Sequence, residues 1–158
     1  MATASSSVLT VGERIELPTT VNGVCVFCAI AYGRAEASVV VDDGELLAIA
    51  DLRPATTGHL LVIPRRHVEG LTDLPPDLGG RMFQLGQRVA GALRRSGLRC
   101  EGVNLFLADG AAAGQEIFHV HLHVLPRFGG DGFRLRADWR VRDRAELDEL
   151  AARVAAAL

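Results

Sequence analysis

The chain of 158 residues fits one domain with a core of its own, and its composition, 49% hydrophobic and 23% charged, is that of an ordinary soluble globular protein. A net charge of −2, with arginine as the only strongly basic residue, argues against a general binder of nucleic acid or of a membrane surface. No run of ~18 apolar residues offers a membrane span, and the opening stretch lacks the basic-then-apolar order of a signal peptide.

Residues 1 to 22 are rich in Ser and Thr, carry Pro18, and read as a flexible arm. Residues 23–158 then read as a single domain with a C-terminal helical extension, since no linker or repeat interrupts them. Cys25, Cys28 and Cys100 are an odd set, too few for a disulfide framework, so a reducing cytoplasm is the expected compartment. Cys25 to Gly33 has the look of a short helical turn stopped by glycine. Ala37 to Asp42 and Glu45 to Ala50 flank Asp43-Gly44, a hairpin signal.

The loop Asp51 to Gly58 follows, then a strand from His59 to Ile63 ended by Pro64. Leu78, Met82, Leu85, Val89 and Leu93 recur at helical spacing, which predicts a helix over 75–96 with Pro75-Pro76 at its start and Gly97 beyond its end. Gly102 to Ala108 is the next strand, and Asp109 to Gly114 a turn.

His119, His121 and His123 then alternate with Val120, Leu122 and Val124. Strict alternation predicts a half-buried strand, with the imidazoles in a row on one face, about 7 Å apart, and the aliphatic side chains on the other. Pro126 is expected to end it. The glycine-rich stretch 128–132 reads as mobile. Asp143, with Glu146 three residues on, is a capping-box pattern that opens a last helix with the stripe Leu147, Leu150, Val154 and Leu158. Short connections between neighbouring strands predict an α+β fold: a five-stranded antiparallel sheet with one long helix and a C-terminal helix, the helices on one side.

Packing alone does not ask for three histidines on one strand face. The run HVHLHVL, with GQEIFH before it and PR after it, resembles the signature of the histidine triad (HIT) family. CVFC, the Asp51 segment and GHLLVIPRRH agree in order, so the resemblance spans Cys25 to Phe133. It implies a nucleotide-binding protein, usually a homodimer, that releases a nucleoside monophosphate from a leaving group.

By position, His121 resembles the nucleophile. Its other ring nitrogen would be held by the backbone carbonyl of His119, with His123 and His59 beside it. Asp51 matches the acid that accepts from ribose hydroxyls; Gly114, Gln115 and Glu116 match the phosphate-side turn. Phe27, Ile30, Ile49 and Leu52 would line the base pocket, with adenine the expected base. Magnesium is not required by this chemistry, and no organic cofactor is expected.

The pair Cys25-x-x-Cys28 is by itself ambiguous between metal, redox and neither. The resemblance to bacterial relatives implies a structural zinc held by Cys25, Cys28, His67 and His119. Two departures stand out. Ala108 occupies a position where many relatives carry Asn, and Glu116 one where some carry Ser or Thr. The rival readings are a nucleotide-binding regulatory protein with vestigial catalysis and, less well supported, a metallohydrolase with all three histidines on one ion.

Overall fold

The computed structural model describes residues 17–158. The expected arm lies largely outside them, but Thr20–Val21 (β1) pairs antiparallel with Val24–Cys25 (β2), so the end of that arm forms a small hairpin. Val26–Ala31 (α1) follows directly. Gly33, at φ +68, takes the left-handed conformation that lets the chain leave the helix.

The main sheet contains Val39–Asp42 (β3), Leu46–Ala50 (β4), Leu60–Pro64 (β5), Gly102–Phe106 (β6) and Leu122–Arg127 (β7), in the order β3-β4-β5-β7-β6. All neighbours are antiparallel. The β3–β4 turn is built as Asp43-Gly44 suggests. Asp43 Oδ1 accepts from the amides of Glu45 and Leu46, and Gly44 has φ +86.

Pro76–Arg95 (α2) lays its whole predicted stripe on one sheet face. Leu78, Met82, Leu85, Val89 and Leu93 are buried there with Leu46, Ala48, Leu60, Val62, Val120, Leu122 and Val124. The aliphatic half of the alternation therefore faces α2, as expected. Gly86 permits the close approach: a Cβ at that position would stand 2.8 Å from Leu122 Cδ2.

Two local expectations are corrected. The helices do not share one side: α1 packs on the opposite face, where Phe27 and Ala31 meet Leu47, Ile49, Leu61 and Ile63. A six-residue helix shows too little periodicity to reveal which face it serves. Pro126 does not end β7, which continues to Arg127 with Pro126 opposite Val103. Its carbonyl accepts from Thr56 Oγ1 at 2.8 Å, so its backbone edge points away from β6 and the missing N–H costs no β6 bond. The turn at 128–132 is organised around Asp131, whose carboxylate binds Arg127 and the amides of Phe128 and Phe133.

Arg144–Ala155 (α3) starts where its cap predicts, with Asp143 Oδ1 accepting from Glu146 N at 3.0 Å. Its stripe is not buried: Leu147, Leu150 and Val154 stay exposed. Among the described residues, no helix is long and apolar enough to cross a membrane.

Candidate active site and metal centre

Regular pairing of β7 starts only at Leu122, opposite Val62. The preceding residues are held differently: Val120 N donates to Val68 O at 2.7 Å, and His119 N to Ile117 O at 2.8 Å. The three imidazoles consequently do not form an even row. His119 is wholly buried and turns toward the two cysteines, whereas the rings of His121 and His123 lie 4.8 Å apart, edge to face.

His121 Nδ1 donates to the carbonyl of His119 at 2.7 Å. That bond fixes the tautomer: the proton sits on Nδ1 and Nε2 carries the lone pair. Phe27 stands edge-on to the ring at 5.1 Å. Burial lowers the pKa of His121, outweighing the opposing influence of the His119 carbonyl, Asp51 and Glu116, so the ring is neutral near pH 7. A neutral imidazole with one nitrogen anchored and the other basic is equipped for nucleophilic attack.

His59 and His123 form a second unit. His59 Nε2 lies 2.9 Å from His123 Nδ1. His59 Nδ1 accepts from Ala55 N at 3.2 Å, with Asp51 Oδ2 at 3.3 Å from the same nitrogen. In neutral His59 the Ala55 bond places the proton on Nε2, which then donates to His123 Nδ1. His123 keeps its own proton on Nε2 and is a hydrogen-bond donor there. Its ring stacks on Phe106 at 4.2 Å, and burial pushes its pKa down to about 3. Asp51, His59 and His123 also offer donor atoms close enough to hold an ion. The direct 2.9 Å contact between the two imidazoles fits a hydrogen bond at least as well.

The remaining expected residues fall around this centre unevenly. Gln115 is buried and spends its amide on the turn, with Oε1 taking Gly110 N at 2.7 Å and Nε2 reaching the carbonyls of Glu69 and Ile117. It shapes the turn between Gly110 and Gln115, and Gly114, at φ +86, closes it. Phe27 and Ile49 are buried, Ile30 packs beside them, and Leu52 is mostly exposed. Ala108 is buried, and the neighbouring Asp109 carboxylate accepts from Leu71 N. One partner was missed in the sequence: Arg53 pairs with Glu116, joining the loop of Asp51 to the turn of Gln115. Sixty-three positions separate them, and only the nearness of Arg53 to Asp51 hinted at its place.

Behind His119 lies the expected metal cluster. His119 Nε2 donates to Pro64 O at 2.8 Å, so Nδ1 is a free ligand nitrogen. It stands 3.6 Å from Cys25 Sγ, 3.5 Å from Cys28 Sγ and 3.3 Å from His67 Nδ1, and Cys28 Sγ is 3.2 Å from His67 Nδ1. Tetrahedral zinc, with Zn–S of about 2.3 Å and Zn–N of about 2.0 Å, sets its donors roughly 3.3–3.7 Å apart. The observed spacing fits that group. Burial, with the Cys25 thiol beside it, pushes the Cys28 thiol up to about 11, as expected of a sulfur that needs a cation to ionise.

Sheet, triad and Cys/His cluster together define a class: an α+β domain carrying the histidine-triad centre and a site able to hold a metal ion. The HIT domain model matches residues 33–130. An uncharacterized HIT-like protein of Mycobacterium tuberculosis is 48% identical over 120 residues, covering 72% of this chain and 83% of its own. A Zn-bound histidine triad family protein from Mycobacterium smegmatis has 46% identity and a TM-score of 0.68, with 85% of this chain and 97% of that chain covered. An adenylylsulfatase of Arabidopsis thaliana is 35% identical over 109 residues, 69% of this chain and 55% of its own. The chain belongs to the HIT family.

Proposed function

We propose that the protein is a nucleotide hydrolase or transferase that passes a nucleoside monophosphate, most naturally AMP, through a covalent intermediate on His121. The observation that carries this reading is the His121 Nδ1 to His119 carbonyl bond, which leaves Nε2 as a neutral nucleophile. Nε2 attacks the α-phosphorus and forms a P–N bond as the bond to the leaving group breaks. His123, a donor at Nε2 through its bond to His59, stabilises charge on the phosphoryl oxygens or leaving group. Water or another acceptor then takes the nucleotidyl group and returns His121 to its free state.

Asp51 would receive the ribose hydroxyls, exchanging some of its present contact with His59. Phe27, Ile30, Ile49 and Leu52 would form the base side, and Gly114, Gln115 and Glu116 the phosphate side. The substrates would be phosphoanhydrides or phosphoramidates of AMP, a class to which the substrate of the related adenylylsulfatase belongs by its name.

Cys25, Cys28, His67 and His119 would hold a structural zinc, which supplies a fixed cross-link and no open coordination position. We also propose one domain over residues 23–158, a homodimer, in which a second copy would cover apolar surface such as the α3 stripe, and residence in the cytoplasm.

A fluorogenic AMP phosphoramidate tests the activity. Wild type should turn it over, and His121→Ala should lose at least about a thousandfold in kcat, as removal of a nucleophile does. Nucleotide binding with no turnover would favour the regulatory reading instead.

A further inference from the structure

The C-terminal segment is folded without being covered. Every residue from Arg134 to Leu158 is exposed. α3 is nonetheless regular and capped by Asp143. A helix of 12 residues is marginal in water unless its apolar stripe is packed. Here Leu147, Leu150 and Val154 are 39%, 62% and 58% exposed. The stripe is framed by opposite charges. Glu146 and Arg153 stand two helical turns apart and so share one flank of it. With Glu149, Leu150, Val154 and Ala157 they line an open groove of about 640 Å³. Glu146 reaches Arg142 only at 3.9 Å, and among the described residues Arg153 has no ion pair. One flank therefore carries an acid near its start and an unpaired base near its end, which is a pattern that matches itself when reversed.

We propose that α3 is covered by α3 of a second copy of this chain, running antiparallel about a two-fold axis at Leu150. The inference rests on the proposed homodimer and names the contact that makes it. The axis sets Leu150 against Leu150 of the second copy, Leu147 against Val154, and Glu146 against Arg153. Symmetry makes each unlike contact twice, so one short helix supplies both an apolar seam and two ion pairs at its rim. A parallel pair would instead set acid beside acid and base beside base, which costs association. The opposed charges thus choose the direction, and the apolar stripe supplies the driving force.

Sedimentation equilibrium of the full chain reads the dissociation constant. Glu146→Arg and Arg153→Glu should each weaken self-association by about tenfold, because each reversal turns two attractive contacts into two repulsive ones. The two changes together restore the pairs with their charges exchanged, and should bring the Kd back to within about threefold of wild type. A double variant no tighter than either single one would overturn the proposal. Cross-linking reads the direction. Under mild oxidation Leu150→Cys should give a disulfide-linked dimer. Leu158→Cys, which the antiparallel arrangement holds roughly 24 Å from its copy along the axis, should link no more than wild type. Efficient linking through position 158, or none through position 150, would also overturn it.

The same measurements separate this inference from the homodimer itself. A dimeric wild type whose Kd ignores both charge reversals keeps the homodimer and removes α3 from its interface. A wild type that stays a single chain removes both.

Discussion

At the scale of single residues, much of the chemistry depends on which nitrogen of each imidazole holds its proton. His119 is committed twice: its carbonyl anchors His121 and its Nε2–H is given to Pro64, so Nδ1 turns to the cysteines. The candidate metal site and the proposed nucleophile therefore meet in one residue. Cys28→Ser should reduce bound zinc to well below one per chain, measured by elemental analysis of the purified protein. Full zinc content in that variant would remove Cys28 from the ligand set.

His123 contributes to the pH dependence, alongside His59, His119 and His121, whose pKa values burial also lowers. Its pKa falls from an ordinary 6.5 to about 3 because burial disfavours the charged ring. The folded state then holds fewer protons than the unfolded one between these values. Its contribution to stability is whole above about 6.5 and is lost as pH falls toward about 3. The denaturant midpoint should drop on acidification through that window, and less steeply in His123→Asn. Equal slopes in both proteins would contradict the assignment.

At the scale of elements, legibility in the sequence follows periodicity. The α2 stripe and the alternation from His119 to Val124 each name a buried face, and both faces are found where expected because burial enforces one phase along a whole element. The cap at Asp143 was readable because it is a local bond. What escaped was decided by distant neighbours. The course of β7 through Pro126 depends on where Thr56 lies, the face of α1 on six residues without a period, and the order at 128–132 on Asp131 meeting Arg127. The site divides the same way: the triad was visible as a motif and the Cys/His cluster was implied by the family resemblance, whereas the Arg53–Glu116 pair was not.

The Asp51 loop supplies an element-scale prediction. Gly58 has φ +93, and a Cβ there would meet Leu98 at 3.0 Å and Pro126 at 3.2 Å. Gly58→Ala should cost about 1–3 kcal/mol of stability through backbone strain and this crowding, read from chemical denaturation. A neutral or stabilising effect would mean the loop relaxes freely.

At the scale of the whole molecule, α3 stands out. Its cap is made, yet among the described residues Leu147, Leu150 and Val154 remain uncovered, and an isolated helix of twelve residues is marginal in water. The proposed homodimer predicts twice the chain mass in light scattering, and Leu150→Arg should shift that mass toward the single chain. A wild-type monomer at micromolar concentration would contradict it.

The architecture, the proposed zinc cross-link and the paired imidazoles all converge on one atom, Nε2 of His121. Intact-protein mass spectrometry after rapid acid-free quenching tests that atom most directly. Wild type mixed with an AMP phosphoramidate should gain the mass of one nucleotidyl group, mapped to the peptide containing His121 and missing in His121→Ala. Turnover without any such adduct, or an adduct that persists in His121→Ala, would contradict the account.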